Sequence, residues 1–215
     1  MTAVAPEAPM STAPAASDDV ADVLWQAWKA MELPEGFHAE IVEGFIEVSP
    51  TGRYSHSKTI YRFRRALEGF LGGDSPYAAH QDMNLQHDQK VFVPDIYLAP
   101  EEDTAYVTED GLGLDASCVE LVVEVVSPGH DAQQRDRVRK RRAYARAGIP
   151  VYVILDDYDG HGTVTVLTQP SPGEAVYAAE TRVPYGKDVT VPEGPAEGFT
   201  ITEEITGPPQ RTRAE

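Results

Sequence analysis

Apolar and polar positions alternate along this chain in two rhythms, one near 3.6 residues and one of two, and their order predicts a mixed α/β fold. Ser17, Asp18 and Asp19 form a helix-start signal. Val20, Val23, Leu24, Ala27 and Met31 follow at helical spacing until Pro34 and Gly36 stop the run. In residues 55–71, Ile60, Phe63, Leu67, Phe70 and Leu71 make one apolar stripe, which Gly72 and Gly73 end. Between these helices, residues 37–42 and 45–48 are extended runs joined by Glu43 and Gly44, a connection suited to a tight hairpin.

Three further strands are expected at residues 78–85, 91–99 and 119–126. The last is almost wholly apolar and so is expected at the sheet centre, buried on both faces. A helix over residues 131–147 then leads into a strand over 149–155, the order of a right-handed crossover between parallel strands. Asp159-Gly160 marks a hairpin into residues 163–168, and Pro/Gly-punctuated segments beyond it suggest additional C-terminal edge strands.

Composition narrows the class. With 215 residues, 41% hydrophobic and 25% charged, the chain has enough apolar surface for one sizeable core, which excludes disorder throughout. The expected organisation is one domain over residues 17–205 between two tails. The first, over residues 1–16, is Ala/Pro-rich; the second, over 206–215, contains GPPQRTRAE. No basic, apolar leader and no run of about 18 apolar residues occurs, so a cytoplasmic protein without a membrane partner is expected. The only cysteine, Cys118, excludes an internal disulfide and a paired-cysteine metal clip, and reads as a small core residue.

Candidate chemistry comes from acids in apolar surroundings. Glu124 stands inside VELVVEVVSP, where an unpaired carboxylate costs several kcal/mol, roughly, unless it is protonated, paired or bound to an ion. Glu120 shares its strand face but lies nearer the strand's start, away from the loops where α/β sheets place ligands. Asp95 repeats the anomaly within VFVPDIYLAP, beside Pro94, which removes a backbone donor and interrupts pairing. Alone, Asp95 reads equally as a turn cap or an arginine partner. Asp136, Lys140 and Tyr144, four residues apart, share one helix face, and Lys140 is the basic residue on the stripe that must meet the sheet. The plainer alternative is a surface Asp136–Lys140 pair, worth only about 0.3 to 0.5 kcal/mol.

These pieces, taken in order, resemble the Uma-type restriction endonuclease family of the PD-(D/E)XK nuclease superfamily, over roughly residues 37–167. The matching segments are AEIVEGFI from Ala39, Ser55-His56 opening a helix, VPDIYLA around Asp95, LVVEVVSP around Glu124, and Asp136, Lys140, Tyr144 and Gly148 before a strand. The resemblance implies a restriction-endonuclease-like mixed β-sheet flanked by helices, and metal-dependent cleavage of phosphodiester bonds, in DNA first. It maps the ligands of a divalent ion, magnesium first, to Asp95 and Glu124, a supporting glutamate to Glu40, and the lysine, displaced onto the following helix, to Lys140. Val126 stands where the (D/E)XK pattern has its lysine, and Val151, Tyr152 and Val153 depart from the family's tendency after Gly148. His56 is a secondary candidate for phosphate contact or turn capping, Asp136 is another, and Tyr144 reads as a core residue whose hydroxyl is satisfied by the site.

The formal charge of -17 repels a polyanion at long range. Basic residues nonetheless cluster, as Arg53, Lys58, Arg62, Arg64 and Arg65 and as Arg135, Arg137, Arg139, Lys140, Arg141, Arg142 and Arg146, without an interleaved aromatic platform. Three functional classes remain open. One is an active nuclease, for which a homodimer would suit cutting both strands. The others are an inert nuclease-fold module that binds nucleic acid or a protein, and a paired-carboxylate hydrolase acting on a sugar, which leaves Lys140 without a role.

Overall fold

In a computed structural model of the chain, residues 16–50 and 52–208 are described. The expected tails lie almost entirely outside them. Helix α1, Ala16–Lys29, precedes a hairpin of β1, Phe37–Val42, and β2, Phe45–Pro50. The hairpin turn is Glu43 (φ 47) and Gly44 (φ 82), both left-handed, which matches the twist of the flanking strands. Helix α2, Tyr54–Leu71, ends where Gly72 takes φ 76.

The next two expected strands are each two strands in different sheets. Residues 78–85 divide into β3, Tyr77–His80, and β4, Leu85–His87, with Asp82 at φ 58 between them. Residues 91–99 divide into β5, Lys90–Phe92, and β6, Ile96–Pro100. The physical reason lies at residues 93–95. Pro94 lacks an N–H and disfavours helical geometry at Val93, so the ladder stops and the chain crosses to the second sheet. Parity along the sequence cannot register such a change of sheet, because apolar residues continue on both sides.

After the short β7, Leu114–Asp115, comes β8, Leu121–Val125, then α3, His130–Gln134, a π-helical stretch, Arg135–Lys140, and α4, Arg141–Arg146, as one continuous rod. Gly148 (φ 75) ends the rod, and β9, Val151–Asp156, pairs parallel with β8 as the crossover pattern predicted. Strands β10, Thr163–Ser171, and β11, Val176–Pro184, extend that sheet, and β12, Val189–Thr190, with β13, Thr200–Ile201, forms a C-terminal ribbon before α5, Glu203–Thr206.

The six-stranded sheet has the order β11-β10-β9-β8-β6-β3 and the five-stranded one β2-β1-β5-β4-β7. The period of two sorts the central strands between two cores. Leu121, Val123, Val125, Val151, Val153 and Leu155 pack with Phe63 and Leu67 of α2 and with Phe199 and Ile201. Val122, Val126, Tyr152 and Ile154 pack on the other side with Ala143 and Tyr144 of α4 and with Phe92 and Leu85 of the five-stranded sheet. Glu124 has the parity of this second face, so its carboxylate points toward the rod that carries Lys140. Cys118 is buried there as a core residue.

Candidate functional site

The antiparallel register of β6 with β8 pairs Ile96 with Val123, so Asp95, one residue before β6, lies alongside Glu124. Its Oδ2 accepts a hydrogen bond from the Val125 N–H at 2.7 Å and lies 3.2 Å from His56 Nε2 at the start of α2. Gly52 allows this approach: a Cβ there would sit 2.3 Å from His56 Nδ1. Asp95 is therefore fixed from two elements, with its side chain 19% exposed toward a cleft.

Lys140 joins the other acids. Its Nζ lies 2.8 Å from Glu124 Oε1 and 2.9 Å from Glu40 Oε1, and donates to the Val93 carbonyl at 3.3 Å. Lys140 is only 2% exposed, Glu124 3% and Glu40 0%, so this is a desolvated triad and not a surface bridge. Tyr144 Oη donates to the same Glu124 oxygen, and the Val93 N–H donates to Glu40 Oε1 at 2.6 Å. The backbone N–H and carbonyl of Val93, next to the sheet-switching Pro94, thus serve Glu40 and Lys140 in turn.

Asp136 is buried as well, yet its partner is the adjacent Arg135, at 2.8 Å, rather than Lys140. The surface-pair alternative for Asp136 and Lys140 is excluded, since both side chains are buried. The wider turn of the π-helical stretch carries Arg135 and Asp136, and such turns recur at functional sites. Arg135 also donates to Ser49 Oγ at 2.7 Å, tying the rod to β2. Sequence reasoning counted Arg135 only among a cluster of basic residues. No spacing rule marks it, because its role depends on the π turn.

Charge in this pocket is out of balance. Burial pushes the Glu124 carboxyl up to about 8; Lys140 pulls it down, but Asp95, Asp136 and Glu40 add to the rise. Lys140 is disfavoured by burial but held protonated by Glu124 and Glu40, which raise it above its ordinary value. Burial opposes ionisation of Asp95, and the His56 hydrogen bond and charge outweigh it, so Asp95 lies below the usual carboxylate range. Burial lowers His56, and Asp95 more than reverses this. Four carboxyl groups, Glu40, Asp95, Glu124 and Asp136, thus share three basic groups, Lys140, Arg135 and His56, and the proton that Glu124 keeps up to about 8 offsets the imbalance.

The floor opens into a cleft of about 870 Å³ lined by His38, Arg53, His56, Tyr61, Arg64, Arg65, Pro94, Asp95, Glu124, Arg135 and Lys140 among others. Of the two basic clusters, the second is largely neutralised: Arg137 binds Asp156, Arg139 Glu47, Arg141 Glu180, and Arg142 and Arg146 both bind Glu43. Those arginines staple the rod to neighbouring strands, and the basic rim of the cleft belongs to α2 and Arg135.

The structure thus brings Glu40, Asp95, Glu124 and Lys140 together, with His56 on Asp95, Tyr144 on Glu124 and Asp136 on Arg135. Among the described residues, no three His, Cys, Asp or Glu side chains converge closely enough to hold an ion as they stand. The donor chemistry nevertheless fits a hard divalent cation, because magnesium requires only one or two carboxylates beside water and phosphate oxygens. The hydrogen bonds to Asp95 fall on Oδ2 and those to Glu124 on Oε1, leaving one oxygen of each uncommitted. Glu40 Oε2 is buried without a partner among the described residues.

Comparison with known proteins gives the context. No curated protein matches the sequence. A crystal structure described as "a putative nuclease belonging to DUF820 from Anabaena variabilis ATCC 29413" has the same fold, with a TM-score of 0.64 at 16% identity, covering 85% of this chain and 96% of that one. A family model, Uma2, described as "Putative restriction endonuclease", matches residues 25–204, and the chain belongs to that family.

Proposed function

We propose that this protein is a divalent-metal-dependent nuclease that hydrolyses phosphodiester bonds, in DNA first, in the cleft floored by Asp95, Glu124, Glu40 and Lys140. One observation carries this reading: Lys140, on the rod, bridges two buried glutamates beside Asp95, in a pocket with more carboxyl groups than basic ones. Such a site costs stability, and a divalent cation bound in place of the Glu124 proton gives the cluster of buried carboxyls its function.

Asp95 and Glu124 would hold the ion, magnesium first. When bound, it supplies Lewis-acid charge to a phosphate oxygen and to water. The chain's own residues do the rest. Lys140 sets its ammonium where charge develops on the phosphate oxygens, and Glu40 and Tyr144 fix that ammonium and the Glu124 carboxylate in place. His56 holds Asp95 in one rotamer and faces the cleft, and Arg135 adds positive charge at its edge. The family membership supports the nuclease class. The domain extends over residues 17–205, and a homodimer would present one such cleft to each strand.

Supercoiled plasmid incubated with the purified protein and magnesium tests this. Nicking that requires the ion and falls by roughly a hundredfold or more in Glu124→Gln is expected. Unchanged nicking by that variant, or none with any divalent ion, overturns the proposal.

A second reading, an inert nuclease-fold module, is favoured by one specific observation: Lys140 and Tyr144 both occupy Glu124 Oε1. Magnesium calorimetry separates the two readings. Heat of binding lost in Asp95→Asn supports the nuclease, and no binding to either form supports the inert module.

A further inference from the structure

The proposed function leaves unstated what form of nucleic acid enters the cleft, and the exposed face of α2 bears on it. Tyr54, Ser57, Lys58, Tyr61, Arg64, Arg65 and Glu68 recur at three- and four-residue spacing, so they make one stripe along the helix. Ser57, Tyr61, Arg64, Arg65 and Glu68 of this stripe, with Arg53 just before the helix, line the cleft that ends on Asp95 and Glu124. Tyr61 therefore places one aromatic ring among the basic residues of the cleft, at helical rather than neighbouring spacing.

Each element of the stripe is in a state suited to binding. Tyr61 is 55% exposed with Lys58 Nζ 5.6 Å from its ring centroid, and so presents a π face carrying positive charge. Arg64 is held by Glu68 at 2.8 Å and Gln81 at 3.2 Å. Arg53 and Arg65 are exposed and have no ion pair among the described residues, unlike the arginines of the rod. They are twelve residues apart, about 18 Å of helix axis, the reach of several nucleotides. A cleft of about 870 Å³ is of the size that takes a small organic ligand. It has room for a few nucleotides of one strand, and an exposed ring such as Tyr61 stacks only on a base that is free of its pair, above a floor where Glu124 is 3% exposed.

We infer that this cleft takes an unpaired nucleic-acid strand, with a base stacked on Tyr61 and backbone phosphates on Arg53 and Arg65. The inference rests on the preceding reading that a nucleic acid occupies the cleft, and narrows it to single strands, flaps or frayed ends. Stacking on an aromatic ring tolerates any base, so the strand is held without sequence readout.

Fluorescence anisotropy of the full chain in EDTA tests this, using a fluorescein-labelled mixed-sequence strand of about twenty nucleotides and its blunt duplex. The strand is expected to bind roughly tenfold or more tighter than the duplex. Tyr61→Ala should weaken strand binding roughly 5- to 150-fold while Tyr61→Phe retains it, and Arg65→Ala should flatten the salt dependence by about 0.7 in log–log slope. Equal affinity for strand and duplex, or full affinity in Tyr61→Ala, overturns the inference. Because cleavage is absent in EDTA, the two readings fail separately. Plasmid nicking without strand preference removes this inference alone, whereas strand preference with no cleavage of either strand or plasmid under magnesium removes the nuclease reading and leaves the strand-binding cleft.

Discussion

Replacing Lys140 by methionine keeps most of the side-chain volume and removes one charge. Its Nζ lies 2.8 Å from Glu124 and 2.9 Å from Glu40, and both carboxylates are at most 3% exposed, so the variant leaves two glutamates desolvated without their cation. Removing one partner of a buried ion pair costs about 3 to 5 kcal/mol. Here the cost depends on pH, because a stranded glutamate escapes by taking a proton. Its folded pKa then stands above the unfolded value, the folded state binds more protons, and stability falls as pH rises. The wild-type Glu124 already follows this course up to about 8, above which it ionises against Lys140. In Lys140→Met that release is lost, and each glutamate held neutral adds up to about 1.4 kcal/mol of loss per pH unit. Urea denaturation followed by far-ultraviolet circular dichroism should show a loss of about 3 to 5 kcal/mol near pH 9, shrinking to about 1 to 2 kcal/mol near pH 5. Adding Glu124→Gln to Lys140→Met should restore part of the loss at high pH. A loss independent of pH, or none at all, would refute the reasoning that Lys140 neutralises a buried pair.

Other expectations follow from single contacts. Glu43 accepts from Arg142 and Arg146, which hold its carboxyl below the ordinary range against the opposing effect of burial, so its contribution is present above the unfolded pKa and fades as pH falls through the folded one. Glu43→Gln should cost about 1 kcal/mol near neutral pH and almost nothing near pH 3, read from paired urea midpoints. Gly162 has φ 97 and a Cβ there would lie 2.3 Å from the Tyr185 ring, so Gly162→Ala should destabilise by about 1 to 3 kcal/mol. An unchanged melting temperature would mean that the loop yields freely. Phe63→Ala, at the centre of the core beneath α2 and in edge contact with Phe199, should cost about 3 to 5 kcal/mol, with the slope of the denaturation curve unchanged.

Much of the architecture was legible in the sequence because local rules suffice for it. The α2 stripe of Phe63 and Leu67, the left-handed Glu43-Gly44 turn, and the parallel β8–β9 pair across the rod are each set by spacing or turn chemistry within a few residues. Glu124 could be singled out because a charge inside an apolar strand is anomalous in one dimension already, and Asp95 stood out beside a proline for the same reason. The strand boundaries at residues 81–84 and 93–95 were not legible, since an apolar run looks the same whether it stays in one sheet or crosses to another.

By itself, then, the sequence determined which segments are helix or strand, which face of each is apolar, and which acids and lysine are out of place in that pattern. Only the tertiary structure decided who neutralises whom. Asp136 and Lys140 share a helix face, yet Asp136 pairs with Arg135 and Lys140 with glutamates on β1 and β8. The six arginines and the lysine of the rod look in sequence like the basic residues of α2 and the turn before it, yet burial and nearby acids occupy those of the rod and leave Arg53 and Arg65 exposed at the cleft. The physical reason is that apolar burial follows a periodicity written locally, whereas an electrostatic partner is chosen by distance and desolvation, which exist only once segments far apart in sequence have packed.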